Sequence, residues 1–144
     1  MELIEVRRAL LQPKFKTYGG LPVYIDNACF RYRNGLVTDY VADTNFFITG
    51  PFDSGSTGSK VYTIPRYPET ASGGVTPAFR TYDDLTATSI DYWAIGSSNN
   101  PTRSVTTAGR YLLVPMPKAK AANMYMQVKV GDVYVYIFKG KNVT

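Results

Sequence analysis

Glu69, Asp83, Asp84 and Asp91 are the side chains with which this sequence could do chemistry. Two carboxylates flanking a glycosidic bond can serve as acid and base, so a glycosidase-like hydrolysis is the reaction they would suit. Asp83-Asp84, however, directly follows Tyr82, where aspartates bond nearby backbone amides and shape turns, and turn capping outweighs catalysis. The sequence contains no His, which removes the commonest general base and every Ser–His or Cys–His nucleophile pair. With one cysteine, Cys29, an internal disulfide is excluded, and so are the usual zinc and soft-metal ligand sets. Cys29 lies in an apolar run and reads as a small buried hydrophobe. The acids lack the alternating Asp/Asn loop and glycine of a calcium site. Gly55 to Lys60 matches a phosphate-binding loop in composition only, because the Gly-Lys-Ser/Thr order is missing. No catalytic residue, metal ligand or cofactor is assigned.

Aromatic side chains offer a second chemistry. Tyr62, Tyr67, Tyr82, Tyr92 and Trp93 stand near polar loops, and rigid rings with polar tips can stack on sugars. Trp93, Tyr92 and Tyr82 are the candidate glycan-stacking residues. Core filling and self-association account for the same residues, since Tyr is favoured at protein interfaces. Lys14, Lys16, Arg31 and Arg33 interleave with Phe15, Phe30 and Tyr32, but alternation in a half-exposed strand produces that pattern without nucleic acid. Nucleic acid is not an expected partner.

The elements that must position these residues are strands. Met124 to Phe138 alternates on either side of Gly131-Asp132, which spells a β-hairpin with a two-residue turn. That register sets Val130 opposite Val133, Val128 opposite Val135 and Met126 opposite Ile137 on one apolar face, expected to be core. The other face pairs Lys129 with Tyr134, Gln127 with Tyr136 and Tyr125 with Phe138, a polar and aromatic surface that another chain could cover. These six residues, with the basic Arg7, Arg8, Lys14 and Lys16, are the candidate interface.

A second hairpin is expected over Val23 to Val41 with Asn34-Gly35 as its turn, pairing Tyr32 with Val37 and Ala28 with Val41. That register sets Phe30 against Asp39, a poor match that calls for a bulge or a wet rim. Asn45 to Thr49, Val61 to Ile64, Ala87 to Ile95 and Arg110 to Val114 read as further short strands. Gly55 to Ser59 reads as an exposed mobile loop, the prolines and glycines from Pro65 to Pro77 as a long irregular one, and Pro115 to Ala122 as a basic linker. At the N-terminus, Leu3, Val6 and Leu10 fall at helical spacing before Pro13, and an extended arm reads almost the same. At 144 residues the chain has the size of one domain able to bury a core without staples. The expectation is a single all-β domain over residues 1–144: an antiparallel β-sandwich or barrel of Greek-key type over 21–144, preceded by a short helix or extended arm within 1–20.

Charge is unevenly placed. Residues 1–33 carry six basic and three acidic groups, residues 34–109 four and seven, and residues 110–144 six and one. If the termini meet, the molecule has two signs and could dock a basic face on an acidic partner. The first residues have the wrong order of charge and apolar runs for a secretory signal, and the apolar runs are too short for a membrane span. The small basic β domain, the Tyr-, Thr- and Gly-rich strands, the polar loops and the terminal arm together resemble the small structural proteins of tailed bacteriophage particles. The resemblance covers the whole chain in style and transfers no residue. It implies a non-enzymatic head decoration, auxiliary capsid or head-to-tail connecting protein. Such a protein is made in the host cytoplasm and located in the virion. It docks as a homo-oligomer or in repeated copies on capsid, portal or tail proteins, with no membrane partner. A carbohydrate-binding or adhesin module using Trp93, Tyr92 and Tyr82 is the alternative.

Overall fold

The chain folds into short strands because its apolar residues alternate and its turn residues recur. The computed structural model describes residues 16–96 and 102–144, and among them are ten strands. They are β1 (Thr17–Tyr18), β2 (Leu21–Phe30), β3 (Tyr40–Asp53), β4 (Lys60–Pro65), β5 (Ala78–Tyr82), β6 (Asp91–Ala94), β7 (Thr102–Thr107), β8 (Tyr111–Pro117), β9 (Tyr125–Val130) and β10 (Val133–Lys139). One 3-10 turn, Ala121–Asn123, precedes β9. The strands form two antiparallel sheets, β1-β2-β3-β8-β5-β6 and β10-β9-β4-β7. The result is an all-β sandwich with open edges, so of sandwich and barrel it is the sandwich that forms. The helix or arm expected at the N-terminus, and with it Arg7, Arg8 and Lys14, lies outside the described residues.

Between the sheets lies the main core. Cys29, Phe47, Phe79, Leu112, Val114 and Met116 from the larger sheet meet Tyr62, Ile64, Val105, Met126 and Phe138 from the smaller one, all buried. The larger sheet is also covered on its other face. There Ala28, Phe30, Ile48, Tyr82 and Leu113 form a second cluster, with Val37, Tyr40 and Leu85 packed against it from the sheet edge and the connecting loops. A sheet buried on both faces reads as continuous apolar runs, and Leu112-Leu113-Val114 is one.

Several local expectations are corrected. Asn34-Gly35 does not turn a tight hairpin: residues 31–39 form a nine-residue loop, and β2 pairs β3 through Ala28↔Ala42, Cys29↔Val41 and Phe30↔Tyr40. At this end of the ladder the one-residue shift moves the β3 side chains of residues 40–42 to the opposite face, which removes the mismatch of Phe30 with Asp39. Asp39 instead becomes the acceptor of an arginine cluster, bonding Arg31 Nη1 and Arg33 Nη2 at 2.9 Å, with Arg80 Nη2 at 3.7 Å. Gly35 is then spent on tertiary bonds, its carbonyl accepting from the Tyr82 hydroxyl at 3.0 Å and from Ser89 N at 2.9 Å. β3 does not stop at Gly50-Pro51 but runs on to Asp53, Ala87 to Ile95 contributes only Asp91–Ala94, and the linker from Pro115 begins as the end of β8. β5 and β7 carried no strand signal of their own. The Gly55 to Ser59 loop is exposed and tied by Lys60, whose Nζ donates to Ser56 Oγ at 2.7 Å and to the carbonyls of Ser56 and Gly58 at 3.0 and 3.2 Å.

Candidate functional site

The β9–β10 hairpin forms at the expected place and with the expected turn. Gly131 has φ +62, while no non-glycine described residue except Asn27 is positive, so Gly131-Asp132 fits a type II′ turn, in which the first central residue must be left-handed. Val133 pairs with Val130, Tyr134 with Lys129, Val135 with Val128 and Tyr136 with Gln127, as the sequence dictates. Past Tyr136 the register breaks. A bulge at Ile137 sets Phe138 opposite Met126 and Lys139 opposite Tyr125.

Two corrections follow. Phe138, expected to look outward opposite Tyr125, is buried and stacks on Phe52 at 4.9 Å, because the bulge turns it onto the core side with Met126. The valines near the turn, expected to be core, are out in solvent. Val130, Val133 and Val135 are 56%, 64% and 45% exposed, and Tyr134 and Tyr136 on the opposite face are 43% and 44% exposed. The cause is support. Among the described residues β4 pairs with β9 at Tyr62↔Val128 and Thr63↔Gln127, so the turn end of the hairpin projects past this short ladder, while Val135 and Tyr136 stand on β10, the outer strand of the sheet. Alternation identifies the core face of a strand and is blind to where the core ends.

On the outward face, Tyr125 and Tyr136 meet edge to face at 5.7 Å, and Lys139 Nζ sits 5.2 Å from the Tyr136 ring. Tyr125 and Gln127 are half-buried, while Lys129 is exposed. The first described strand and the C-terminal segment meet, since Lys141 N donates to Gly19 O at 2.8 Å. Lys16, however, is bonded to Asp26 at 2.7 Å, Lys118 reaches the same carboxylate at 3.4 Å, and Lys120 pairs with Glu69. The Lys16 ammonium, followed by the Tyr18 hydroxyl and Lys118, holds the Asp26 carboxyl down at about 2. Lys16, Lys118 and Lys120 are therefore already answered within the chain.

The glycan-stacking residues are not brought together. Tyr82 is a core residue, 0% exposed in the second cluster, and it leaves the candidate set. Trp93 and Tyr92 are neighbours on β6 and project to opposite faces, Trp93 across from Phe79 and Tyr92 across from Arg80. Trp93 packs on the main core with Arg103 over its ring at 5.5 Å. Tyr92 instead meets the exposed Tyr32 edge to face at 5.0 Å, a contact made by the 31–39 loop, where a hairpin strand pairing Tyr32 with Val37 is expected.

The carboxylates are dispersed in role. Asp84 Oδ1 accepts from Thr86 N and Thr86 Oγ1, both at 2.8 Å, and these bonds lower its carboxyl below the usual range. Asp83 Oδ1 accepts from Arg110 N at 3.3 Å, Asp91 Oδ2 from Thr107 Oγ1 at 2.6 Å, and Glu69 is held by Lys120. Glu69 and Lys120, paired with each other, border a cavity of about 340 Å³ with Phe46, Pro117 and Lys118. No group of three or more potential metal ligands occurs among the described residues, and no helix among them is long and apolar enough to cross a membrane.

Fold and surface together define an antiparallel β-sandwich with an overhanging apolar hairpin at the edge of its smaller sheet. No family model, curated protein or solved structure matches the chain.

Proposed function

We propose that the chain is a non-enzymatic structural protein that acts by docking in a repeated, symmetric assembly, as a decoration, auxiliary or head-to-tail connecting protein of a virus particle. The overhanging hairpin is the observation that carries docking. Five large apolar side chains stand exposed on both faces of one edge, whereas contiguous apolar patches on monomeric proteins are small and commonly functional. The dispersed acids, each with a separate local partner, support a binding role over an acid–base one. Placement on a virus particle follows from the resemblance in overall style to bacteriophage structural proteins. Many copies on a symmetric lattice make modest single contacts sufficient through avidity.

Quantitative mass spectrometry of particles purified from cells that produce the chain tests the reading. The expected result is a fixed ratio of this chain to the major shell protein, lost in a folded Val133→Asp/Tyr134→Ser double variant. Particles from such cells that carry none of the chain, or that incorporate the double variant at the wild-type ratio, would refute it. The carbohydrate-binding alternative now rests on the exposed Tyr32 and the half-buried Tyr92 it meets, and glycan binding abolished by Tyr92→Ala with the fold intact would favour it.

A further inference from the structure

Among the described residues, β10 is the outer strand of the smaller sheet and pairs only with β9. In a hairpin with a two-residue turn, the residues flanking the turn exchange both backbone hydrogen bonds, and the pattern then alternates. Val133 and Val135 therefore spend their N–H and C=O groups on β9, while those of Tyr134 and Tyr136 point outward along the open edge. Natural edges are usually blunted by a lysine, a proline or a bulge. From Val133 to Tyr136 the edge has none of these, and its bulge comes only at Ile137.

We infer that the occupant of this edge is β10 of a second copy, paired antiparallel about a two-fold axis through Val135. The inference rests on the docking reading above and names its partner. Three features support a copy of the same chain. First, a two-fold perpendicular to a sheet preserves its faces, and directly opposed residues share a face, so the register must put a residue opposite itself or opposite one an even number away. Centring on Val135 meets this condition and sets Tyr134 opposite Tyr136 of the copy, which joins the outward-pointing N–H and C=O groups of both chains. Second, the segment is self-complementary, with Val135 against its own copy and Val133 toward Ile137 on one face, and tyrosine against tyrosine on the other. Third, the segment is bounded by opposite charges, Asp132 at one end and Lys139 at the other, and between them it carries none. Antiparallel pairing brings Asp132 of each copy beside the Lys139 end of the other, whereas a parallel copy would set like charges together. Such a contact is short and belongs to the weak class of interfaces, below about 1,200 Å² in total, as suits a lattice assembled by repetition.

Sedimentation equilibrium of the full chain, with amide hydrogen exchange followed by NMR, tests the pairing. The wild type should dimerise in a concentration-dependent way. As it does, the Tyr134 and Tyr136 amides should pass from unprotected to protected, while those of Val133 and Val135 stay protected throughout. Val135→Lys, at a solvent-exposed position, should raise the dimer dissociation constant at least tenfold. Asp132→Lys and Lys139→Asp should each weaken dimerisation, and the double reversal should restore it. Dimers indifferent to Val135→Lys, or single reversals that the double variant does not rescue, would overturn the pairing and give the edge to another occupant, such as an N-terminal segment or a foreign chain. A strict monomer up to millimolar concentration would overturn it too. The particle experiment above then decides separately whether the hairpin docks on something else.

Discussion

The guanidinium carbon of Arg80 lies 4.4 Å from the centre of the Phe30 ring, inside the second core, with its side chain fully buried. Its Nη1 donates to the carbonyls of Leu36 at 3.2 Å and Asp39 at 3.0 Å, and its Nη2 to that of Arg31 at 3.1 Å. One buried side chain thus satisfies three backbone carbonyls of the 31–39 loop and faces Asp39, whose carboxyl is lowered chiefly by the hydrogen bonds from Arg33. The fork geometry is specific to arginine, since an ammonium cannot reach carbonyls in those directions at once.

Replacing Arg80 should be severe in a way that no exposed arginine matches. Arg80→Ala leaves buried carbonyls unpaired and a cavity over Phe30, and should lower unfolding free energy by about 3–5 kcal/mol in urea titrations. Arg80→Lys should recover only part of the loss. Arg33→Ala, at the exposed side of the same aspartate, should change stability little, because Arg31 and Arg80 still face Asp39.

Cys29 supplies a second check on the core. The thiol is fully buried between the sheets, and that burial pushes its pKa up to about 12. Thiolate is the reactive species, so an aromatic disulfide reagent at pH 8 should label the native protein far more slowly than a free thiol. The rate should rise to that of a free thiol across the urea unfolding transition. Rapid labelling without denaturant would show that the sheets part locally at β2.

How much of this was legible in the sequence depends on the range of the forces involved. The hairpin turn at Gly131-Asp132 and the pairing from Val130–Val133 to Gln127–Tyr136 follow from local alternation and turn chemistry, and so does Cys29 as a core residue. The burial of Phe138 does not, because the bulge at Ile137 answers to packing against Phe52 on the other sheet. Nor does the exposure of Val133 and Val135, since alternation says neither that β10 is the outer strand nor where the β4–β9 ladder ends. Asn34-Gly35 has the composition of a tight turn, yet Tyr82, Ser89 and Arg80, all distant in sequence, bond residues 31–39 and open the loop. The candidate site was legible as a hairpin; its overhang was not.

Asp26 gives the pH dependence. Its carboxyl accepts from Lys16 Nζ at 2.7 Å and from the Tyr18 hydroxyl at 3.1 Å, which holds its pKa at about 2 instead of 3.8. A carboxyl depressed in the folded state favours folding above its unfolded pKa, and that contribution is lost as pH falls through the folded value. Wild type should therefore be more stable than Asp26→Asn at pH 5–7, and the two stabilities should converge between about pH 4 and pH 2. High salt should shrink the difference, because the pair is partly open to solvent. A gap that has not shrunk by pH 2 would mean that the substitution acts through something other than this ion pair. An NMR titration of the Asp26 carboxyl, with its midpoint near 2, checks the same point directly.

Trp93 separates a structural from a ligand-stacking role for the aromatics of β6. Its ring packs on the main core from the strand opposite Phe79, and Arg103 covers it while donating Nη1 to Ala94 O at 2.9 Å. Removing a part-buried indole costs transfer energy and leaves a cavity, so Trp93→Ala should lose about 2–4 kcal/mol in chemical unfolding. Tyr92 faces the other way, half-buried against Tyr32, and Tyr92→Ala should cost under about 1.5 kcal/mol. Arg103→Ala should fall between them and shift the tryptophan emission to longer wavelength as the indole gains water. The order of these three losses is the informative quantity. A platform built for sugars keeps its largest ring out of the core, where removing it spares the fold, so a Trp93→Ala protein as stable as wild type would transfer Trp93 from the packing of the sandwich to its binding surface.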